Sequence, residues 1–282
     1  MIWSLWNPIV YPLIDINNSC SDVRFPFFKG DMLITCFREQ FALYDIFSKT
    51  IVDTVDHIEA TSGDAIWVSG IHGGIYDSQK KEIDHKYRFT QDYVAPPAVS
   101  SNGTSFVVQK HAVWLNQGGI STKIEVSVAP QSWYAPAISA CGPVWIDEQN
   151  DIWLYRISKH QKEQVIPNGG FFPRYMTALD AWIFWVEDYS IRGWNCEENE
   201  LYSIKTQAID RIAILNVDQK HPMVCWSAWM DDIYGADILC SNQQRLQREN
   251  NQLWPSIGDD GKLLFRDENG IFWVQLEEAR NK

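Results

Sequence analysis

The sequence predicts an all-β protein that forms a single β-propeller over residues 1–282, and three observations support this prediction. A pattern of short apolar runs and polar turns returns about every 38 residues between Pro26 and Pro255, a period that suits the four short strands of one propeller blade. The runs are bounded by Gly, Asp, Asn and Pro, which is typical of strands. No linker or low-complexity tract divides the 282 residues, and a single all-β domain often reaches this length.

The last unit shows the pattern most clearly. Strands are predicted at 254–257, 262–265 and 271–274, and the polar turns 258–261 and 267–270 separate them. The earlier units can be aligned with it by their opening residues. These are Pro26, His57, Pro97, Pro136, Pro173, Pro222 and Pro255. Seven blades follow from this alignment, although the irregular sixth unit leaves the number open between six and eight. Within that unit, residues 241–252 are the one segment polar and long enough to suggest a helix, and they have no apolar stripe.

The seventh unit has three strands before the chain ends, and the N-terminus can supply the fourth. Residues 9–14 read as an extended edge strand, where a proline is tolerated. We therefore expect residues 1–16 to form the closing outer strand of the last blade, so that the ring has no open edge.

Charge and cysteine usage limit the functions that this chain can have. A net charge of −12 argues against binding to nucleic acid or to an anionic membrane surface. There is neither an apolar run of membrane-spanning length nor an ordinary signal peptide. The six cysteines lack CxxC spacing, and we interpret them as buried thiols of a cytoplasmic protein. They are Cys20, Cys36, Cys141, Cys196, Cys225 and Cys240.

The last unit resembles the repeat of TolB-like and related WD-type β-propellers. The resemblance rests on the Pro-led strand at Trp254-Pro255-Ser256-Ile257, the Asp260-Gly261 turn and the strand that begins Gly270-Ile271-Phe272-Trp273. The Gly-His and Trp-Asp signature of standard WD40 repeats is absent. The resemblance implies that first strands line a central channel. It also implies that the loops entering them share one face, the funnel face, with the turns between second and third strands.

This implied geometry selects the candidate site residues. A concave site with aromatic walls and a few polar groups is the usual form of a ligand pocket. The residues expected at the funnel face are His57, His72, His111, His221, Asp56, Tyr93, Trp133, Tyr134, Arg174 and Trp254. Arg192 and Trp194 are expected to join them from a long loop at 189–199. The sequence contains no HxH or HxxxH spacing and no cofactor fingerprint, so we predict neither a metal nor a cofactor.

Paired acidic residues recur at the predicted turns between second and third strands. The pairs are Asp147-Glu148, Glu187-Asp188, Asp231-Asp232 and Asp267-Glu268. They could bind cations or a basic partner. The interpretation we favour is that they suit solvated turns and that the repeats have inherited them.

Three classes of function remain open at this stage. The first is a non-enzymatic propeller that binds a protein or a small ligand at the funnel face. The second is a lyase, cyclase, isomerase or hydrolase in which His57, His72, His111 and Tyr93 provide acid and base. The third is a lectin, which the differences between the units disfavour. Whether the chain is an enzyme is left open by the sequence.

Overall fold

A computed structural model of the chain describes its strands and most of its second half. The described residues are 4–6, 10–15, 27–29, 32–37, 40–45, 50–55, 57–62, 65–69, 74–77, 82–84, 98–99, 104–109, 112–117, 120–125, 136–166, 173–215, 222–230, 235–257 and 261–276. Side-chain contacts are described chiefly from residue 104 onward. Throughout these ranges the regular structure is β-strand, and no helix occurs. The prediction of an all-β chain is confirmed.

The described strands form seven sheets, six with four strands and one with five. The strands of sheet 1 are β3 (Phe27–Lys29), β4 (Met32–Phe37), β5 (Gln40–Asp45) and β6 (Thr50–Val55). Those of sheet 2 are β7 (His57–Ser62), β8 (Ala65–Ser69), β9 (Gly74–Asp77) and β10 (Glu82–Asp84). Those of sheet 3 are β11 (Ala98–Val99), β12 (Ser105–Gln109), β13 (Ala112–Gln117) and β14 (Ile120–Glu125). Sheet 4 consists of β15 (Ala137–Ser139), β16 (Gly142–Ile146), β17 (Ile152–Arg156) and β18 (Gln161–Ile166). Sheet 5 consists of β19 (Arg174–Leu179), β20 (Trp182–Glu187), β21 (Ser190–Asn195) and β22 (Glu200–Lys205).

Sheets 6 and 7 each include a strand from the N-terminus. Sheet 6 contains β23 (Ala208–Leu215), β24 (Met223–Trp229), β25 (Ala236–Cys240), β26 (Gln244–Leu246) and the N-terminal β1 (Ser4–Trp6). Sheet 7 contains β27 (Leu253–Ile257), β28 (Lys262–Asp267), β29 (Gly270–Gln275) and the N-terminal β2 (Tyr11–Asp15).

The expected partner of the N-terminal strand is found in sheet 7. Strand β2 runs antiparallel to β29, with Tyr11 opposite Trp273, and the two rings stack with centroids 4.4 Å apart. Strand β1 was not predicted as a separate element. It pairs in parallel with β26, the short outer strand of sheet 6. The first 16 residues therefore extend the outer edges of two sheets and not of the last one alone.

The chain divides into two compact units, which we describe separately. One consists of Asp56–Lys205 and holds sheets 2 to 5. In it the first strands of successive sheets are neighbours, β7 with β11, β11 with β15 and β15 with β19. The other consists of Met1–Val55 with Thr206–Lys282 and holds sheets 1, 6 and 7. There, β27 lies beside both β23 and β3. Adjacent first strands within each unit are the arrangement that a propeller requires.

Tryptophans on second strands fill the space beside the sheets. Trp145, Trp185 and Trp226 lie on β16, β20 and β24, and all three are fully buried. The Trp145 ring packs against Phe106 of the preceding sheet, with centroids 5.4 Å apart. Truncation of such a side chain to alanine costs about 3–5 kcal/mol. The aromatic content of the sequence thus serves packing at these positions.

The sixth unit begins earlier than the sequence indicated. The repeat pattern predicts that this unit begins at Pro222. In the structure, the first strand of sheet 6 is β23 (Ala208–Leu215), and Pro222 precedes the second strand, β24. Charged residues inside β23 had hidden its apolar pattern. The segment 241–252, which had suggested a helix, contains the outer strand β26 (Gln244–Leu246).

Two disulfides replace four of the expected thiols. Cys141 is bonded to Cys196, which links sheet 4 to sheet 5, and Cys225 is bonded to Cys240, its register partner across β24 and β25. The prediction of buried thiols is wrong for these four residues, because the fold brings distant segments together in a way that spacing does not reveal. The side chains of Cys20 and Cys36 lie outside the described residues.

A second set of contacts joins sheets 4 and 5 near the first disulfide. The Ala140 N–H donates to the Asp180 carbonyl at 2.7 Å, and Arg156 Nη2 donates to the Cys196 carbonyl at 2.9 Å. These bonds lie at turns between first and second or third and fourth strands, so this end of the two sheets is held covalently and by hydrogen bonds.

Candidate binding face

Each sheet has one end at which the first strand begins and the turn between the second and third strands lies. We call this the entry end of the sheet. It corresponds to the funnel face that the sequence resemblance implied. The described residues at entry ends are of two kinds. Some are carboxylates that accept hydrogen bonds within the fold, and others are aromatic rings that are exposed to solvent.

At the entry end of sheet 4, Asp147 organises the turn between β16 and β17. Its Oδ1 accepts hydrogen bonds from the N–H groups of Gln149 and Asp151, both at 2.9 Å. Its Oδ2 accepts a 2.7 Å bond from the Trp153 indole. Because all three donors come from the turn or the strand that follows it, the carboxylate fixes the conformation of this end of the sheet.

At the entry end of sheet 5, Glu187 has the same role. Its Oε1 accepts from the Trp185 indole at 3.0 Å. Its Oε2 accepts from Ser190 Oγ at 3.3 Å and from Arg192 Nε at 3.2 Å. The carboxylate is therefore occupied by three donors from its own sheet.

At the entry end of sheet 7, Asp267 Oδ1 accepts from the N–H groups of Asn269 at 2.7 Å and Gly270 at 3.2 Å. Its other oxygen lies 3.2 Å from Nη1 of Arg248, whose guanidinium carbon sits 4.4 Å from the centroid of the Phe272 ring. The first member of each described acidic pair is thus bonded within the fold. Glu148 and Glu268, the second members of two pairs, are exposed to solvent.

Two of the large exposed apolar side chains lie at entry ends. Tyr189, in the turn between β20 and β21, is 76% exposed. Trp229, the last residue of β24, is 60% exposed. Tyr189 lies in the connection between the second and third strands of its sheet, and Trp229 lies directly before that connection in its own sheet. Neither ring can be identified from the sequence, because an aromatic at the end of a strand looks the same in sequence whether it faces the core or the solvent.

Most of the predicted site residues fall outside what the structure describes. Asp56, His72, Tyr93, His111, Trp133, Tyr134 and His221 are outside the described residues, and for His57 and Trp254 only the backbone is described. His57 begins β7 and Trp254 is the second residue of β27, both first strands, as expected. His221 lies between β23 and β24 in the chain, which is a connection between first and second strands. Its expected place at the entrance to a first strand stays a prediction, since the residue lies outside the described part of the chain.

The prediction that Arg192 and Trp194 stand on a long loop is wrong. Both belong to β21, which pairs with β20 on one side and β22 on the other. Trp194 is only 5% exposed, and its indole donates to Asn199 Oδ1 at 3.0 Å. In the sequence, Gly193 made this segment look like a loop. In the sheet, a glycine is needed at this position because a Cβ would overlap the Phe184 ring.

Among the predicted site residues, side chains are described for Arg174, Arg192 and Trp194. Of the two arginines, Arg192 is paired with Glu187, and Arg174 stands at an entry end without an acidic partner. It is the first residue of β19 and lies opposite Val186 of β20. Its Nε is buried and has no hydrogen-bond acceptor. Within the described part of the chain, no group of His, Cys, Asp or Glu side chains could hold a metal ion.

Comparison with known proteins supports the fold. No protein-family model matches the chain, and no curated protein matches it. A chain in the crystal structure of a mitotic checkpoint complex superposes on it with a TM-score of 0.64 and 9% sequence identity, covering 96% of this chain and 95% of that chain. That complex contains WD40 β-propeller components. The likeness supports a WD-type β-propeller architecture and does not point to the TolB-like superfamily in particular.

Fold and site together define the class of protein. The chain is an all-β repeat protein with a WD-type propeller architecture, and the described parts of its entry ends combine rigid turns with exposed aromatic rings. Among the described residues, no helix is long and apolar enough to cross a membrane.

Proposed function

We propose that this chain is a binding propeller that recognises a partner protein at the entry ends of its sheets. The observation that carries the proposal is that each compact unit has a large exposed aromatic at the entry end of one of its sheets, Tyr189 in sheet 5 and Trp229 in sheet 6. Tyrosine and tryptophan are enriched among the residues that dominate binding energy at protein interfaces. The solved propeller with a similar fold is itself part of a protein complex.

The bonded carboxylates support this function by keeping the turns rigid. Glu187 holds the turn that carries Tyr189 through its bonds with Trp185, Ser190 and Arg192. A surface that is already in its bound conformation loses less conformational entropy when a partner docks. Of the two interpretations of the acidic pairs, internal bonding therefore accounts for their first members, while Glu148 in one unit and Glu268 in the other remain exposed.

We also infer that the seven sheets are the blades of one closed ring, with the N-terminal strand β2 in the last blade. The pairing of β2 with β29 and the adjacent first strands within each unit support this inference. The funnel residues selected from the sequence, including His57, His72 and His111, remain a proposal for the binding of a small molecule or a protein. A cytoplasmic location was expected from free thiols, and the two disulfides remove that support.

The test compares exposed aromatics at the two ends of the sheets. Tyr189→Ala and Trp229→Ala are expected to weaken binding of a partner isolated from the organism of origin by roughly 30-fold each. Leu201→Ala and Ile120→Ala are matched controls. These two side chains are 66% and 70% exposed but lie next to turns between third and fourth strands. Affinity measured by biolayer interferometry should change less than about twofold in the controls. Equal loss in all four variants, or in none, would contradict the proposal.

A further inference from the structure

We propose that Arg174 binds an oxyanion, a carboxylate or phosphate group, carried by a ligand at the entry end of sheet 5. Arg174 is the first residue of the first strand, β19. The inference goes beyond protein binding and names a chemical class of ligand. It shares only the location on sheet 5 with the proposed function.

The first observation is the missing partner of the guanidinium group. Arg174 Nε is buried, and its N–H donates to no acceptor within the described part of the molecule. Its cationic group lies over the neighbouring Tyr175 ring, whose centroid is 5.8 Å from Arg174 Cζ. Buried polar groups in folded proteins are almost always hydrogen-bonded, so a guanidinium N–H without an acceptor indicates a place for one.

Other arginines show that this fold normally supplies a carboxylate. Arg156 pairs with Glu163 at 2.6 Å, and Arg192 pairs with Glu187 at 3.2 Å. In the other compact unit, arginines 245 and 248 pair with aspartates 237 and 267. In a protein of net charge −12, an arginine without such a partner stands out from this pattern.

The nearest carboxylate in the strand register is occupied by other groups. Arg174 lies opposite Val186, and Glu187 follows directly in the chain. Glu187 accepts hydrogen bonds from Trp185, Ser190 and Arg192 and from no atom of Arg174. The sheet therefore leaves the Arg174 guanidinium group available while it neutralises the neighbouring Arg192.

The second observation is an irregular backbone at the same position. The register of β19 against β20 shifts between Arg174 and Thr177. Tyr175 has φ of 52°, in the left-handed region that residues other than glycine seldom adopt. Such bulges redirect side chains and occur often beside binding sites. Shifts also occur in the first strands β7, β23 and β27, whereas a positive φ is found at Tyr175 alone among the described residues of first strands.

The chemistry of the guanidinium group determines the ligand class. Its planar fork of N–H donors matches the two oxygens of a carboxylate or phosphate group and can bind them in a bidentate manner. The flat Tyr175 ring beside it adds an apolar surface for the body of such a ligand. A small organic acid or a phosphate ester fits this description.

The experiment titrates the full chain with inorganic phosphate and, separately, with succinate, using isothermal calorimetry at low ionic strength. We expect saturable binding of at least one probe. Arg174→Met removes the charge and the donors while keeping the length of the side chain, and it should weaken that binding by about tenfold or more. Lys205→Met is the matched control: this exposed lysine ends β22 at the same end of sheet 5, opposite Ser190, and its loss should leave binding within about threefold of the parent. Preference for phosphate would identify a phosphorylated ligand, and preference for succinate a carboxylic acid; both results support the site.

A second variant protects the test against misfolding. Arg174→Lys retains the charge without the planar fork and should lower the affinity about fivefold while the protein keeps its thermal midpoint. If the parent binds neither probe, or if Arg174→Met and Arg174→Lys both bind as tightly as the parent, the proposal is wrong. These titrations need no partner protein. Their failure would therefore leave the result obtained with Tyr189 and Trp229 unaffected.

Discussion

The indole N–H of Trp153 donates a 2.7 Å hydrogen bond to Oδ2 of Asp147. Asp147 comes from the end of one strand and Trp153 from the start of the next, so the bond closes the turn that connects them. The same carboxylate also receives the N–H groups of Gln149 and Asp151. One side chain thus accepts hydrogen bonds from three donors of a partly buried turn.

Replacement of Asp147 by alanine is expected to destabilise the fold by about 3 kcal/mol. The reason is that three donors lose a charged acceptor, and each such bond contributes roughly 1 kcal/mol or more. Chemical denaturation followed by tryptophan fluorescence measures the change. Glu148→Ala, one residue away on an exposed side chain, should alter stability by less than about 0.5 kcal/mol. Comparable losses in the two variants would show that the hydrogen bonds of Asp147 do not hold the turn.

The disulfide between Cys141 and Cys196 is expected to stabilise the protein by about 4 kcal/mol, since it closes a loop with a sequence separation of 55 residues. The double variant Cys141→Ser with Cys196→Ser should unfold at correspondingly lower denaturant concentration than the oxidised parent. Mass spectrometry of the unreduced, denatured parent checks the pairing directly. Alkylation of all four cysteines 141, 196, 225 and 240 without reductant would contradict both disulfides.

Deletion of residues 1–16 should lower stability by at least ~3 kcal/mol, because it removes both β1 and β2 and exposes the edges of β26 and β29. For a chain of this size each kcal/mol corresponds to a shift of about 2–4 °C in the thermal midpoint. Deletion of residues 1–7 removes β1 alone and should have a smaller effect. If the longer deletion melts like the parent, the pairing of β2 with β29 does not stabilise the fold.

The strand pattern was predictable from the sequence where each unit follows the repeat closely. In sheet 7, the apolar runs and the Asp267–Gly270 turn coincide with β28 and β29, because short apolar runs separated by an Asp-led turn leave a clear local signal. The place of β2 followed from counting strands, since the last unit lacked one.

Other features depend on contacts that no local pattern reports. Pro222 resembled the prolines that precede first strands, yet it precedes a second strand. Because proline has no N–H to donate, it suits the start of either kind of strand. Arg192 and Gly193 looked like loop residues because they break the apolar alternation of β21. The bonds that occupy Glu187 and leave Arg174 without a carboxylate become visible only when the strands are paired.

Tyr202 provides a prediction about pH. Burial raises the pKa of its phenol above the usual 10.0, since the ring lies in edge contact with Trp182 and Phe184, at centroid distances of 6.4 Å and 6.2 Å. The folded state therefore holds this proton more tightly than the unfolded state does. The stabilisation is complete below the unfolded pKa and is lost as the pH rises through the folded value, so stability should fall above about pH 10.

Tyr202→Phe keeps the ring contacts and removes the ionisable group. Denaturation measured between about pH 8 and pH 11 should show a shallower decline for this variant than for the parent, and parallel curves would exclude Tyr202 as a source of the pH dependence.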